Sequence, residues 1–344
     1  MTGFASDNNA SVHPAVMAAL AAANHDHVVA YGDDPFTARC DAQFAELFGR
    51  PVEVFLTWGG TGANVVGLGS LLRASDAVIC SQHAHIAVDE GGAPERIIGT
   101  KLIDLPSIDG RLTPEQITEQ LHTIGNLHHA QPRVVSLTQS TELGAVYAPQ
   151  EIAAISEVAH RHGLLVHMDG ARIANATAAI GCAVSEITVD AGVDVISFGG
   201  TKNGMMYGEA VIFLTPGLAD YAPYIRKQFT QLPSKARYIA AQFSAMLTDG
   251  LWLRTACHSN EMAGLLHGLV KSVPGLDPGP APQANAIFPI LPRAAIKALQ
   301  RQWRFYDWDV HRNQVRWMTS WDTEREMVEA FASDVRAAVG ATVK

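Results

Sequence analysis

The sequence predicts an α/β fold: a mostly parallel, doubly wound sheet of seven strands with a smaller α+β domain at the C-terminal end. Three observations carry this. Apolar runs of four to six residues, bounded by glycine and polar residues, recur through the first 214 positions, as strands buried on both faces do. Helical patterns of roughly 10 to 15 residues lie between them, which is the mark of βα units. Beyond the linker PGLDPGPAP, at 274–282, the order becomes strand, helix, strand, helix. The domains are therefore expected at 1–273 and 274–344.

In chain order, Ser6-Asp7-Asn8 is a polar cluster ahead of an alanine-rich helix, 15–23, opened by His13-Pro14. Tyr31-Gly32-Asp33-Asp34-Pro35 reads as a turn and cap for the helix 36–48. The first strand is 52–56, and Thr57-Trp58-Gly59-Gly60-Thr61-Gly62-Ala63-Asn64 leads from it into an apolar helix, 65–72. A strand, a glycine-rich turn and a helix N-terminus make an anion site, because N–H groups point outward and the dipole favours a phosphate. The same residues also suit a tight turn. They match neither GxGxxG nor a P-loop, so a nucleotide fold is not indicated. Strands follow at 77–80, 101–105 and 133–138, with a helix at 113–124. The helix 149–162 leads to strands 164–168, 193–198 and 209–214, and long helices occupy 234–247 and 251–273. The tail reads as strand 286–291, helix 292–302, strand 314–321 and helix 324–339.

Composition excludes several classes of function. Of the 344 residues 48% are hydrophobic and 17% charged, which fits a globular enzyme and not a disordered chain. A net charge of −9 without a long basic run disfavours nucleic acid or an anionic membrane as partner. No apolar run reaches the roughly 18 residues of a membrane span, and the N-terminus lacks the pattern of a secretory signal. Cys40, Cys80, Cys182 and Cys257 form no CxxC or zinc pattern, so a reducing, cytoplasmic setting is expected. Fourteen histidines make chance neighbours common, and neither HExxH nor a matched Cys/His set supports a metal.

Two strand ends carry chemistry. Asp169 ends the run 164–168, and Lys202 follows the run 193–198. In open α/β sheets ligands sit beyond the carboxyl ends of the strands, so this acid and this lysine can face one ligand. Pyridoxal phosphate needs that pair, a lysine for a Schiff base and a carboxylate for the pyridinium nitrogen. Taken singly, Asp169 also reads as a helix cap and Lys202 as a solvated loop lysine. His85 lies at another strand end, where it can stack on a flat cofactor or move protons, or be a polar loop residue. Arg172 follows Asp169 by three residues, and Arg316 lies between apolar neighbours in the last strand. Such an arginine binds a carboxylate bidentately or forms a structural ion pair.

Together the segments SDNNA (6–10), YGDDP (31–35), GGTGAN (59–64), HAHI (83–86) with Glu90-Gly91-Gly92, MDGARI (168–173), GGTKNG (199–204) and the Arg316 strand resemble the low-specificity L-threonine aldolases. The resemblance spans nearly the whole chain and implies a fold-type I pyridoxal-phosphate enzyme that cleaves L-threonine or L-allo-threonine to glycine and acetaldehyde. It implies that Lys202 forms the Schiff base, that Asp169 pairs with the pyridinium nitrogen, and that His85 stacks on the ring as a candidate base. It further implies that Gly60, Thr61, Gly62 and Thr201 hold the phosphate. Ser6, Arg172 and Arg316 would bind the substrate carboxylate. Tyr31 would come from a neighbouring subunit of a homo-oligomer, with Lys227 and Arg237 near the entrance. One departure stands out. Many members carry a histidine after the strand at 133–138, where this chain reads Thr138-Gln139-Ser140-Thr141-Glu142-Leu143-Gly144. The acceptor of the hydroxyl proton is thus left open. Other pyridoxal-phosphate reactions, β-elimination or transamination, would use the same lysine and acid.

Overall fold

The computed structural model describes residues 3–342. The chain runs α1 (Pro14–Ala22), α2 (Pro35–Phe48), β1 (Glu53–Thr57), α3 (Gly60–Leu71), β2 (Asp76–Ser81), α4 (His85–Val88), β3 (Lys101–Leu105), α5 (Pro114–Gln120), β4 (Gln131–Thr138), α6 (Pro149–Arg161), β5 (Leu165–Gly170) and α7 (Ile173–Ile180). It continues through β6 (Val195–Gly199), β7 (Glu209–Phe213), α8 (Ala222–Gln228), α9 (Arg237–Leu247), α10 (Leu251–Val270), β8 (Ala286–Ile287), α11 (Arg293–Leu299), β9 (Tyr306–Asp309), β10 (Gln314–Met318) and α12 (Arg325–Gly340).

The large sheet has the order β1-β7-β6-β5-β4-β2-β3. From β6 through β3 every neighbouring pair is parallel, while β7 runs antiparallel to both β6 and β1. The expected mostly parallel seven-stranded sheet is therefore what forms. Successive side chains on its strands pack on opposite faces of the sheet. Val166 and Met168 of β5, with Ile196 and Phe198 of β6, pack toward Phe44, Ile152, Ile155 and Phe243. Val134, Val195 and Val211 face the opposite way, toward Ala63, Val66 and Leu68 of α3. Each fully buried aliphatic side chain of this kind contributes roughly 1.5–3 kcal/mol. Because the side-chain period in a strand is two, His167 and Asp169 take the α3 side. That alternation aims the acid at the N-terminal half of α3.

Close approach at the carboxyl edge needs residues without side chains. A Cβ at Gly170 would meet Ser197 O and Ile196 Cδ1, both at 2.9 Å, and one at Gly199 would run into the backbone of Ala171. The two strand ends carrying Asp169 and the Lys202 segment can therefore lie side by side.

A second core joins α10, α11, α12 and the sheet β8-β10-β9, with Trp317 and Phe331 at its centre. Phe4 belongs to it too, so the first described residues reach across to the C-terminal part of the chain.

The structure corrects several sequence expectations. The glycine-rich segment is not a turn before a helix at 65; α3 begins at Gly60, so Gly60, Thr61 and Gly62 are its first turn. Glycine's low helix propensity masked that start, and the buried face of α3 overrides it. The strand expected at 286–291 is only Ala286–Ile287, since Pro289 cannot donate to the ladder. β9 was not foreseen, because Tyr306-Asp307-Trp308-Asp309 is four residues with two acids. The short helices α4, α7 and α8 were also missed, having four, eight and seven residues with little periodicity to read.

Candidate active site

The site lies at the carboxyl edge of the parallel strands. Asp169 is buried at 4% exposure. Its Oδ2 accepts from Asn64 Nδ2 at 2.8 Å, and its Oδ1 accepts the N–H of Ala171 at 3.0 Å. Asn64 lies one helical turn beyond Gly60 on α3, so the helix that starts at the glycines also reaches the acid. The same amide donates to Glu90 Oε1 at 2.8 Å, and Glu90 Oε1 stands 2.9 Å from His85 Nδ1. One side-chain atom of each of His85, Glu90 and Asp169 lies within 4.8 Å of the others, and protons on Asn64 and His85 bridge them. The hydrogen bond to Glu90 raises the His85 pKa, against burial and with help from Asp169. Asn64 and Glu90 lie within the segments at 59–64 and 90–92, where their residue types alone point to no role.

Lys202 occupies a one-turn 3-10 helix, Thr201–Asn203, after β6. Its ammonium is close enough to act electrostatically on Asp7, His85 and Glu209. The Thr201 hydroxyl accepts the N–H of Gly208 at 3.1 Å. Glu209, at the start of β7, accepts the N–H of Gly200 at 2.5 Å, and burial pushes its carboxyl up to about 7 despite that bond and the nearby lysine.

Two arginines stand at the same edge in different states. Arg172 is held bidentately by Asp7, Nε to Oδ2 at 2.7 Å and Nη2 to Oδ1 at 2.9 Å. Burial opposes the Asp7 charge, but the Arg172 guanidinium outweighs it and holds that carboxyl below its usual range. Arg316 donates Nη2 to the carbonyl of Ala5 at 3.0 Å, while its buried Nε has no partner among the described residues. Its guanidinium lies 5.0 Å from the Trp308 ring centroid and 5.7 Å from that of Tyr306. Burial and Arg172 both lower its pKa. Ser6 caps the turn Asp7–Asn9, its Oγ accepting from the N–H of Asn8 at 3.2 Å. Asp7 was not singled out from the sequence; its position beside Ser6 was the available signal.

At the start of α3 the cap residue is Gly59, and no side chain caps the helix. The first-turn N–H groups, Gly60, Thr61 and Gly62 among them, have no acceptor of the helix's own. A Cβ at Gly59 or Gly60 would meet nothing within 4 Å, so open space lies in front of them. Gln231 closes one side, accepting the Trp58 N–H at 3.2 Å. Tyr31 is exposed, with a left-handed φ of 66°, and Lys227 Nζ lies 5.3 Å from its ring centroid. Arg237 donates to the carbonyls of His25 and Asp26 at 2.9 and 3.1 Å. These three stand apart from the Asp169 network.

Comparison with known proteins then decides the family. The beta-eliminating lyase family profile matches residues 3–302. The chain is 45% identical over 340 residues to a low specificity L-threonine aldolase from a Pseudomonas species, and 46% identical to that of Pseudomonas aeruginosa. Each match covers 98% of both chains. This chain belongs to the beta-eliminating lyase family. Among solved structures, the threonine aldolase of Leishmania major superposes with a TM-score of 0.93 at 30% identity, over 98% of this chain and 100% of that one.

As a family member the chain is a fold-type I enzyme, and its cofactor is pyridoxal phosphate. The residues present fit that group: a buried carboxylate at a strand end, a lysine on the neighbouring strand's extension, and an uncapped helix N-terminus beside open space. Among the described residues, no helix is long and apolar enough to cross a membrane.

Proposed function

We propose that this chain is a carbon–carbon lyase that cleaves L-threonine and L-allo-threonine to glycine and acetaldehyde, with phenylserine-type β-hydroxy amino acids as further substrates. The observation that carries the reading is the end-to-end match to two low specificity L-threonine aldolases. The molecule works as a cytoplasmic homo-oligomer, a homotetramer, with Tyr31 lining a neighbouring subunit's site and Lys227 and Arg237 near the entrance.

Bound pyridoxal phosphate supplies an electron sink for a bond at Cα of an amino acid. Lys202 holds it covalently. Asp169, with hydrogen bonds to both oxygens, presents a fixed carboxylate that keeps a proton on the ring nitrogen. Gly60, Thr61 and Gly62 offer N–H groups to the phosphate, and Thr201, beside Lys202, is a further donor. His85, oriented by Glu90, is the flat side chain available to the ring. Arg316, with its unpartnered Nε, takes the substrate carboxylate, and Ser6 and Arg172 complete that pocket, Arg172 steadied by Asp7. Fixing the carboxylate fixes the rotation about Cα, which selects the Cα–Cβ bond.

Product analysis tests this directly. Purified protein given L-threonine should yield glycine and acetaldehyde in equal amounts; ammonia or a keto acid in their place would point to β-elimination or transamination. Lys202→Ala should lose the cofactor's visible absorbance and the adduct fixed by borohydride, with activity down by at least ~10³-fold.

A further inference from the structure

Cleavage of a β-hydroxy amino acid, the reading on which this inference rests, requires an acceptor for the hydroxyl proton. His85 is poorly suited to it. Its Nδ1 is tied to Glu90 at 2.9 Å and is not free to take a proton from a hydroxyl, and its ring is the flat face the cofactor would take. The loop after β4 offers a carboxyl instead. Thr138, the last residue of β4, pairs in register with Asp169, and the next N–H, of Gln139, donates to the Asp169 carbonyl at 2.9 Å. The loop thus leaves the sheet beside the acid. Further along it, Glu142 Oε1 accepts the backbone N–H of His85 at 2.6 Å. Its Oε2 is shut off from solvent and meets no donor in hydrogen-bond geometry among the described residues, the Thr138 hydroxyl being the polar group nearby. Buried acceptors are nearly always satisfied, so a free one at the edge of a site marks a place for a ligand's donor.

From this geometry we infer that Glu142 takes the β-hydroxyl proton of the substrate as the Cα–Cβ bond breaks. The substrate O–H bond breaks and an O–H bond forms on Oε2. The electron pair left on the hydroxyl oxygen becomes the second C–O bond of the aldehyde. The Cα–Cβ pair remains with Cα, where the bound cofactor would stabilise it; Cα then takes a proton from water to give glycine, and Glu142 gives its proton back to water as the aldehyde leaves. The electrostatics agree with a group that gains and loses a proton in turnover. Burial first, and the Asp169 carboxylate second, push the Glu142 carboxyl up to about 7, while the N–H of His85 and the hydroxyl of Thr138 restrain the rise. Arg172, Cys80 of β2 and Tyr147 also feel its charge.

Glu142→Gln keeps the size of the side chain and the acceptor for His85. Threonine cleavage should fall by ~10² to 10⁴-fold. The cofactor absorbance band and the exchange of glycine α-hydrogens in deuterated water should stay within about twofold, since glycine has no hydroxyl to deprotonate. Glu142→Asp should restore part of the cleavage. In the cofactor-free protein, infrared titration should show wild type carrying one more carboxyl that titrates near pH 7 than the glutamine variant does. Cleavage within threefold of wild type, a parallel loss of glycine exchange and absorbance, or no difference between the infrared titrations would each overturn the assignment (threshold set against the ~10²-fold expected of an acid–base group). A wild-type protein that exchanges glycine but cleaves no β-hydroxy amino acid would overturn the proposed function itself, and this inference with it.

Discussion

Glu209 shows how one buried carboxyl ties the site to stability. Its folded pKa, about 7, lies above the ordinary glutamate value because burial outweighs the Gly200 N–H and Lys202. A raised acid binds its proton more tightly in the folded state, so it lowers stability as pH climbs from the unfolded value near 4.3 to about 7. Glu209→Gln removes that dependence. Urea unfolding at pH 5 and pH 8 should show the variant gaining on wild type by on the order of 1–3 kcal/mol between the two. An unchanged difference would mean that Glu209 titrates in the ordinary range. At this scale the sequence spoke clearly where chemistry sat at strand ends, as with Asp169 and Lys202. It was mute on Asn64, Glu90, Asp7 and Glu209, whose meaning comes from distant partners: Asn64 meets Asp169 across 105 positions, and Asp7 meets Arg172 across 165.

At the scale of elements, long apolar runs were legible and special starts were not. The strands of the large sheet follow from their hydrophobic runs, and their carboxyl ends from the βα order. The start of α3 was hidden because glycine argues locally for a turn, while the tertiary environment makes it a helix. The same edge depends on Gly199, where any side chain meets the backbone of Ala171. Gly199→Ala should cost about 1–3 kcal/mol in chemical unfolding, because backbone has to move. It should also weaken cofactor retention, as β5 and β6 separate at Asp169 and the Lys202 turn. A variant as stable as wild type would show that this approach is looser than drawn.

For the whole molecule, two packing cores meet around one sheet edge, and the candidate carboxylate pocket draws on both. Arg172 follows β5, while Arg316 comes from β10, whose Trp317 anchors the second core. The proposed sharing of sites between subunits is open to a mixing experiment. Light scattering should give a multiple of the 36.9 kDa chain mass. Lys202→Ala and Tyr31→Ala chains, each impaired alone, should regain roughly a quarter of wild-type activity when unfolded and reassembled together, because half of the mixed pairs' sites are intact. No recovery would place Tyr31 in its own chain's site.

The N-terminal strap has a practical consequence for the gene. Phe4 donates its N–H to Arg304 and sits in the second core, Ala5 gives its carbonyl to Arg316, and Asp7 holds Arg172. Translation begun at the internal Met17 would delete all three contacts at once. Such a product would retain Lys202, Asp169 and every strand of the large sheet, yet carry a buried guanidinium with its counter-ion removed, a loss that typically costs about 3–5 kcal/mol. A chain begun at Met17 thus lacks the contacts that hold the proposed carboxylate pocket.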